Sequence, residues 1–284
     1  MTTPRNNHER NIFMDAIVTS PDFALQPGLT HGVVGPNGSG KTTLLRQIAG
    51  QHQSGRLQVF GQRPFDNRAV TDRTILMGID NPLVDGWNIS KLMRLGSARW
   101  STWNTARAEE LQQRFELPSK NYSALSRGQK SAMGIIMAVA SGCELMLLDE
   151  PYLGLDVEKR QVFYDVLREE HGRTIVISTH HLNELSGHLD TVLMLNGMKH
   201  GAVAELIDGI LEVTGHPENI DRLLNRLQIT PLLRESTALG DRVIVDAIAL
   251  GADNVFDTAS ALDLRASEVN LERAVLALGE EGLA

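Results

Sequence analysis

Apolar residues in this chain follow two different rhythms, and the alternation between them sets the fold class. Short, nearly unbroken runs at His31–Val34, Leu57–Phe60, Thr74–Ile79, Leu145–Leu148, Thr174–Ser178 and Val192–Leu195 predict strands. Between them, apolar positions recur at helical spacing over Lys41–Ala49, Ala106–Phe115, Arg127–Ser141, Val157–Arg168 and His181–His188. Such alternation gives an α/β fold in which helices cover a parallel sheet. Pro82–Asn121 interrupts it with a mostly helical stretch. Asn196-Gly197 is a turn signal that leads from Val192–Leu195 into a further strand near Lys199–Val203. After about Ala204 the texture changes. A strand-like Ile210–Thr214, a helix-like Pro217–Leu227, a strand-like Arg242–Ile248 and a helix-like Ser267–Leu278 follow. The expected organisation is a polar tail over 1–11, a main domain over 12–204 with a helical subdomain at about 82–141, and a small C-terminal α/β appendage over 205–284.

Composition narrows the functional classes. A net charge of −8 disfavours a nucleic-acid binder, which needs clustered Lys and Arg, so no nucleic-acid partner is expected. Cys143 is the single cysteine, so no intrachain disulfide forms, and a small core residue in a reducing compartment is expected. The polar stretch Met1–Arg10 shows no signal-peptide pattern. The longest apolar stretch, Ala132–Cys143, is too short for a bilayer span of about 20 residues. A membrane role would therefore run through a partner.

The chemistry is concentrated in a few motifs. Gly35-Pro36-Asn37-Gly38-Ser39-Gly40-Lys41-Thr42 fits the phosphate-loop spacing, between an apolar strand and a helix that continues through Thr43. Its glycines let backbone N–H groups close on phosphates, Lys41 adds a point charge, and Thr42 offers a hydroxyl to Mg²⁺. The following helix aims its positive end at the same anion. Farther on, Leu145–Leu148 ends in Asp149-Glu150. Asp149 is a candidate Mg²⁺ ligand, and Glu150 a candidate general base for an attacking water.

Three further features select a family. Leu125-Ser-Arg-Gly-Gln129 opens an apolar helix and resembles the ABC ATPase signature. Pro151-Tyr-Leu-Gly-Leu-Asp156 resembles that family's D-loop region, and Ser178-Thr-His180 resembles its switch histidine. Their order along the chain is the ABC order, and the resemblance covers about residues 20–205. It implies a P-loop NTPase fold of ABC type, with Mg-ATP bound between two ATPase domains facing head to tail. It further implies that Ser126, Gly128 and Gln129 contact the nucleotide of the opposing domain, that Asp156 communicates across the dimer, and that His180 holds the γ-phosphate and attacking water. Arg63-Pro-Phe-Asp66 and Asp149-Glu-Pro-Tyr-Leu-Gly-Leu-Asp156 resemble bacterial single-domain export-type members, whose partner is a separately encoded membrane permease.

The chain departs from the family pattern at four places. Arg127 stands where the signature has its first glycine, and arginine lacks glycine's freedom at positive φ. Asp80-Asn81 replaces the Q-loop glutamine; Asp80 is its equivalent as a Mg²⁺ or water contact, or else a turn cap before Pro82. The adenine-stacking aromatic is not clear; Phe13 is the candidate, whereas Phe23 reads as core. Trp87, Trp100 and Trp103 all fall in the helical insertion, as anchors for a membrane partner or as filling for its own small core. The expected function is that of a hydrolysing ABC transporter subunit at the cytoplasmic face of the membrane, with Lys41, Glu150 and His180 carrying catalysis. The alternative is a soluble ABC ATPase in cofactor assembly or regulation.

Overall fold

The structure is a computed structural model that describes residues 16–78, 83–238 and 240–280. It divides into two compact units, one ending at His180 and including Gly187–Met198, the other of His181–Ser186 and Lys199 onward.

In chain order the first unit contains β1 (Val18–Thr19), β2 (Ala24–Leu25), β3 (Thr30–Val34), α1 (Lys41–Ile48), β4 (Gln58–Val59), α2 (Arg68–Thr71) and β5 (Thr74–Gly78). Next come α3 (Ile89–Arg99), α4 (Thr105–Arg114), α5 (Arg127–Ala140), β6 (Leu145–Asp149), α6 (Val157–Glu169), β7 (Thr174–Thr179) and β8 (Thr191–Met194). Five strands pair in the order β5-β6-β7-β3-β8, every pair parallel. The expected parallel sheet is therefore present, and its strands read as apolar runs because both faces are covered. Leu145, Met146, Leu147 and Leu148 are all at most 1% exposed. Each contributes about 1.5–3 kcal/mol by burial.

Leu57–Phe60 behaves differently from its expected place in the main sheet. It shortens to β4 and pairs antiparallel with β1, which also pairs antiparallel with β2. Phe60 and Gly61 take positive φ, and Val59 and Gln62 exchange backbone hydrogen bonds of 2.8 and 3.0 Å, so the chain turns back at once. The insertion holds α3 and α4, which pack with α5. α5 is buried on nearly every side, from Ser131 to Val139 with Gly134 as the half-buried exception. Trp100 and Trp103 stack with centroids 6.5 Å apart, and a Cβ on Gly96 would meet the Trp103 ring at 2.3 Å. These two tryptophans thus fill the insertion's own packing. Trp87 is half-buried, with the Lys91 ammonium 4.0 Å over its ring.

The second unit contains α7 (Leu182–Leu185), β9 (Lys199–Ala202), α8 (Val203–Ile207), β10 (Ile210–Gly215), α9 (Pro217–Leu227), β11 (Leu233–Thr237), β12 (Gly240–Asp246), α10 (Ala252–Ala261), β13 (Arg265–Glu268) and α11 (Leu271–Glu280). From β10 on it is a split β-α-β arrangement, with wholly antiparallel strand order β11-β12-β10-β13. α9 and α10 cover one face around Leu211, Val213, Val243 and Val245, while Ala274 and Ala277 of α11 pack on Ile210 and Ile244 of the other. The pattern of apolar positions misses β11, α10 and β13. The helix expected over Ser267–Leu278 starts only at Leu271, because Arg265–Glu268 pairs with β10 as an edge strand.

Candidate active site

Register across the sheet decides which residues meet. Val34 at the end of β3 is level with Thr179 of β7, Ser178 with Asp149 of β6, and Asp149 with Gly78 of β5. Whatever follows these strands therefore emerges along one edge, the carboxyl edge where ligands bind in such sheets. The loop after Val34, Glu150 after Asp149 and His180 after Thr179 are the segments so placed.

Gly40 takes the left-handed φ of 98° directly before α1, which only glycine adopts without strain. Lys41 is 8% exposed, and its ammonium donates to the carbonyls of Gly35 at 2.7 Å and Pro36 at 3.2 Å. The Ser39 hydroxyl is buried and makes no hydrogen bond among the described residues. Asn37, Gly38, Gly40, Lys41, Thr42 and Thr43 line a cavity of about 350 Å³ together with Asp149, Glu150, Leu153 and His180. Gly35, Pro36 and Ser39 shape the loop behind it. Asp80, and with it Asn81 and Phe13, lies outside the described residues. Phe23 is 3% exposed and belongs to the core.

Ser178 organises the acidic pair. Its hydroxyl donates to Asp149 Oδ1 at 2.5 Å and accepts from the Glu150 N–H at 3.0 Å. Glu150 has φ 48°, a left-handed conformation that costs a non-glycine residue about 1–3 kcal/mol. Its Oε1 lies 2.8 Å from His180 Nδ1, and its Oε2 accepts from the Tyr152 hydroxyl at 2.8 Å. Tyr152 is in turn hydrogen-bonded to the Thr179 hydroxyl. Burial pushes the Tyr152 phenol up, the Thr179 bond lowers it in part, and the neighbouring Glu150 carboxylate raises it again. Composition and spacing do not single out Ser178, Tyr152 or Thr179 as functional; cross-strand register is the missing information.

The donor set fits a phosphate-bearing ligand with a hard divalent cation. The orphaned Ser39 hydroxyl and the Lys41 ammonium sit in a loop at a helix N-terminus. Among the described residues no group of three or more His, Cys, Asp or Glu could hold a metal alone. The Thr42 hydroxyl and the Asp149 carboxylate line the same cavity and are oxygen donors of the type that, with phosphate oxygens, suits such a cation.

The signature residues lie elsewhere. Ser126, Gly128, Gln129 and Asp156 line a second cavity of about 250 Å³ that shares no lining residue with the first. Ser126 caps α5 in a reciprocal box: the Gln129 N–H donates to Ser126 Oγ at 3.2 Å, and the Ser126 N–H donates to Gln129 Oε1 at 3.0 Å. Asp156 caps α6 by accepting from the Lys159 N–H at 2.8 Å. Arg127 is the first residue of α5, has no positive φ and is exposed. The expected conflict with glycine's freedom therefore does not arise there. Glycine is required instead at Gly154, whose φ is 80°, and, for lack of space, at Gly128, where a Cβ would meet the Gly154 carbonyl at 2.2 Å.

Comparison with known proteins bears on the family and the fold. The family model described as ABC transporter matches residues 18–153. The ABC transporter ATP-binding protein YtrB of Bacillus subtilis is 30% identical over 178 residues, which span 60% of this chain and 60% of YtrB, under two thirds of its length. The sulfate/thiosulfate import ATP-binding protein CysA of Brucella melitensis is 30% identical over 271 residues, 88% of this chain and 72% of CysA. The solved structure of cbiO1 from Clostridium perfringens, part of the ABC transporter complex cbiONQ, is 21% identical with a TM-score of 0.54, covers 75% of this chain and 95% of that one, and supports the fold.

Proposed function

Because this chain belongs to the family of ABC transporter ATP-binding proteins, which are ATPases, we propose that it hydrolyses Mg-ATP as half of a two-site dimer and energises a separate membrane subunit. One observation carries this reading: the phosphate loop, Asp149, Glu150 and His180 converge on a single cavity of about 350 Å³. Lys41 and the N-terminus of α1 bind and orient the phosphates. Thr42 and Asp149 hold Mg²⁺, which when bound neutralises charge on the phosphate oxygens. Glu150 takes the proton of the attacking water, and His180, bonded to Glu150, keeps the γ-phosphate and that water in place. Placement of Ser126, Gly128, Gln129 and Asp156 on a different cavity supports their acting on the nucleotide of a second ATPase domain.

No described helix is long and apolar enough to cross a membrane. Coupling would pass from the helical subdomain to an integral membrane permease, at the cytoplasmic face. Trp87, half-buried in that subdomain, is a suitable anchor. The transported substrate would be chosen by the permease, which forms the path.

The test is Glu150→Gln. Steady-state ATP turnover should fall by about 10²–10⁴-fold with ATP affinity retained, since removal of a general base costs that much. Equal rates would remove Glu150 as the base. Affinity capture of the tagged variant from detergent-solubilised membranes with Mg-ATP should bring down a stoichiometric polytopic protein; a soluble assembly in its place would remove the transport role.

A further inference from the structure

We infer that Tyr152 is a positioning residue for Glu150, its hydroxyl fixing the carboxylate from one side while His180 fixes it from the other. The inference rests on Glu150 being the base.

Tyr152 follows Glu150 by two residues and is 1% exposed, among the largest fully buried side chains. Packing alone would be served by phenylalanine, which fills the same volume with no polar atom to satisfy. The phenol oxygen instead lies 2.8 Å from Glu150 Oε2 and is hydrogen-bonded to Thr179 Oγ1. The proton count fixes the directions. An ionised carboxylate only accepts, and a phenol has one proton, so Tyr152 donates to Glu150 and accepts from the Thr179 hydroxyl. A chain of bonds thus runs from the end of β7 to the carboxylate beyond the end of β6. Donors in such a chain polarise one another.

The other oxygen, Oε1, meets His180 Nδ1 at 2.8 Å. With one partner on each oxygen, the carboxylate cannot turn about its last bond without breaking a hydrogen bond. Each oxygen keeps a further lone pair, so the base remains able to take a proton. Removal of the phenol hydroxyl leaves the chemistry available but the aim of the carboxylate free, and a misplacement of about 1 Å is worth about 10²-fold in rate.

Tyr152→Phe tests this. The expected result is a fall in kcat of about 10–100-fold, with KM for ATP within about 2-fold of wild type. The variant removes one hydrogen bond of the buried Thr179 hydroxyl, so a loss of folding could imitate the effect. Tyr152→Phe with Thr179→Val removes both hydroxyls and should restore the melting temperature while leaving kcat low. In single-turnover assays the tyrosine substitution should add no further loss to Glu150→Gln, because both act on one group. A kcat within about 2-fold of wild type overturns the inference, as does an equal loss in both backgrounds or recovery of kcat together with stability. Wild-type turnover by Glu150→Gln itself would instead overturn the role of Glu150.

Discussion

Two glycines on α5 should respond to the same substitution with opposite signs. Alanine in place of glycine in a helix gains about 0.4–1 kcal/mol, mainly by restricting the unfolded chain. At Gly134 a Cβ would find Met77 Cβ at 3.7 Å, an ordinary contact, so that gain should survive. At Gly128 the new atom would lie 2.2 Å from the Gly154 carbonyl oxygen and 2.9 Å from its carbon. Those are backbone atoms of the turn after β6 and cannot rotate away. Ser131 pins the same turn by donating to the Leu153 carbonyl at 2.7 Å. The turn would have to retreat by about 1 Å, and overpacking of this kind costs about 1–3 kcal/mol. For a unit of this size 1 kcal/mol moves the melting temperature by about 2–4 °C. Calorimetry should therefore show Gly134→Ala about 1–4 °C above wild type, and Gly128→Ala about 2–12 °C below it. A Gly128→Ala protein melting at or above wild type would refute the close approach between signature and D-loop.

Lys41→Ala should abolish ATP binding as read by a fluorescent analogue, with melting nearly unchanged, because its ammonium serves only loop carbonyls in this structure. Hydrogen bonds from Arg114, then Arg107, hold the Glu169 carboxyl at about 2, well under its ordinary 4.5. A depressed carboxylate contributes stability above its unfolded value and loses it as pH falls toward the folded one. Glu169→Gln should thus unfold more easily in urea at neutral pH, with the gap closing between about pH 5 and 2 and worth about 1 kcal/mol at most, because the pair is solvent-screened; a gap that persists at acid pH refutes this. Cys143 is 2% exposed, and burial pushes its thiol up, so a thiol reagent at about pH 8 should label it only after unfolding. Rapid labelling of the native protein would contradict that burial.

The parts of the site that could be read from sequence are those whose physics is local. A phosphate loop needs its glycines, lysine and threonine at fixed spacing, and β6 announces itself as an unbroken apolar run over Leu145–Leu148. Asp149 and Glu150 follow such a run and so fall at the ligand edge. The Tyr152–Thr179 bond spans 27 positions and depends on β6 and β7 lying in register, which no periodicity reports. A tyrosine two residues beyond the base reads as core, and it is core as well. In the second unit, β11 and β13 are edge strands with mostly half-exposed or exposed residues, so neither shows the apolar run of a central strand. Ala252–Ala261 includes Asn, Asp, Thr and Ser, weak helix formers whose helix is held by packing on the sheet rather than by propensity.

The signature helix shows why its two central positions are not equivalent. Position 127 heads α5 with no positive φ and an exposed side chain, so its backbone admits any residue that can begin a helix. Both bonds of the capping box run between Ser126 and Gln129 and involve no atom of residue 127. Position 128 faces a carbonyl that leaves no room for a side chain. Arginine at 127 therefore leaves the local fold intact. Its penalty is electrostatic: a cation at the positive end of a helix is unfavourable by about 0.3–1 kcal/mol when exposed. That term changes sign when an anion is brought to the same helix end, since guanidinium and helix N-terminus then attract it together. Arg127 is thus compatible with an active signature, whereas loss of Gly128 would separate that signature from the turn that carries Asp156.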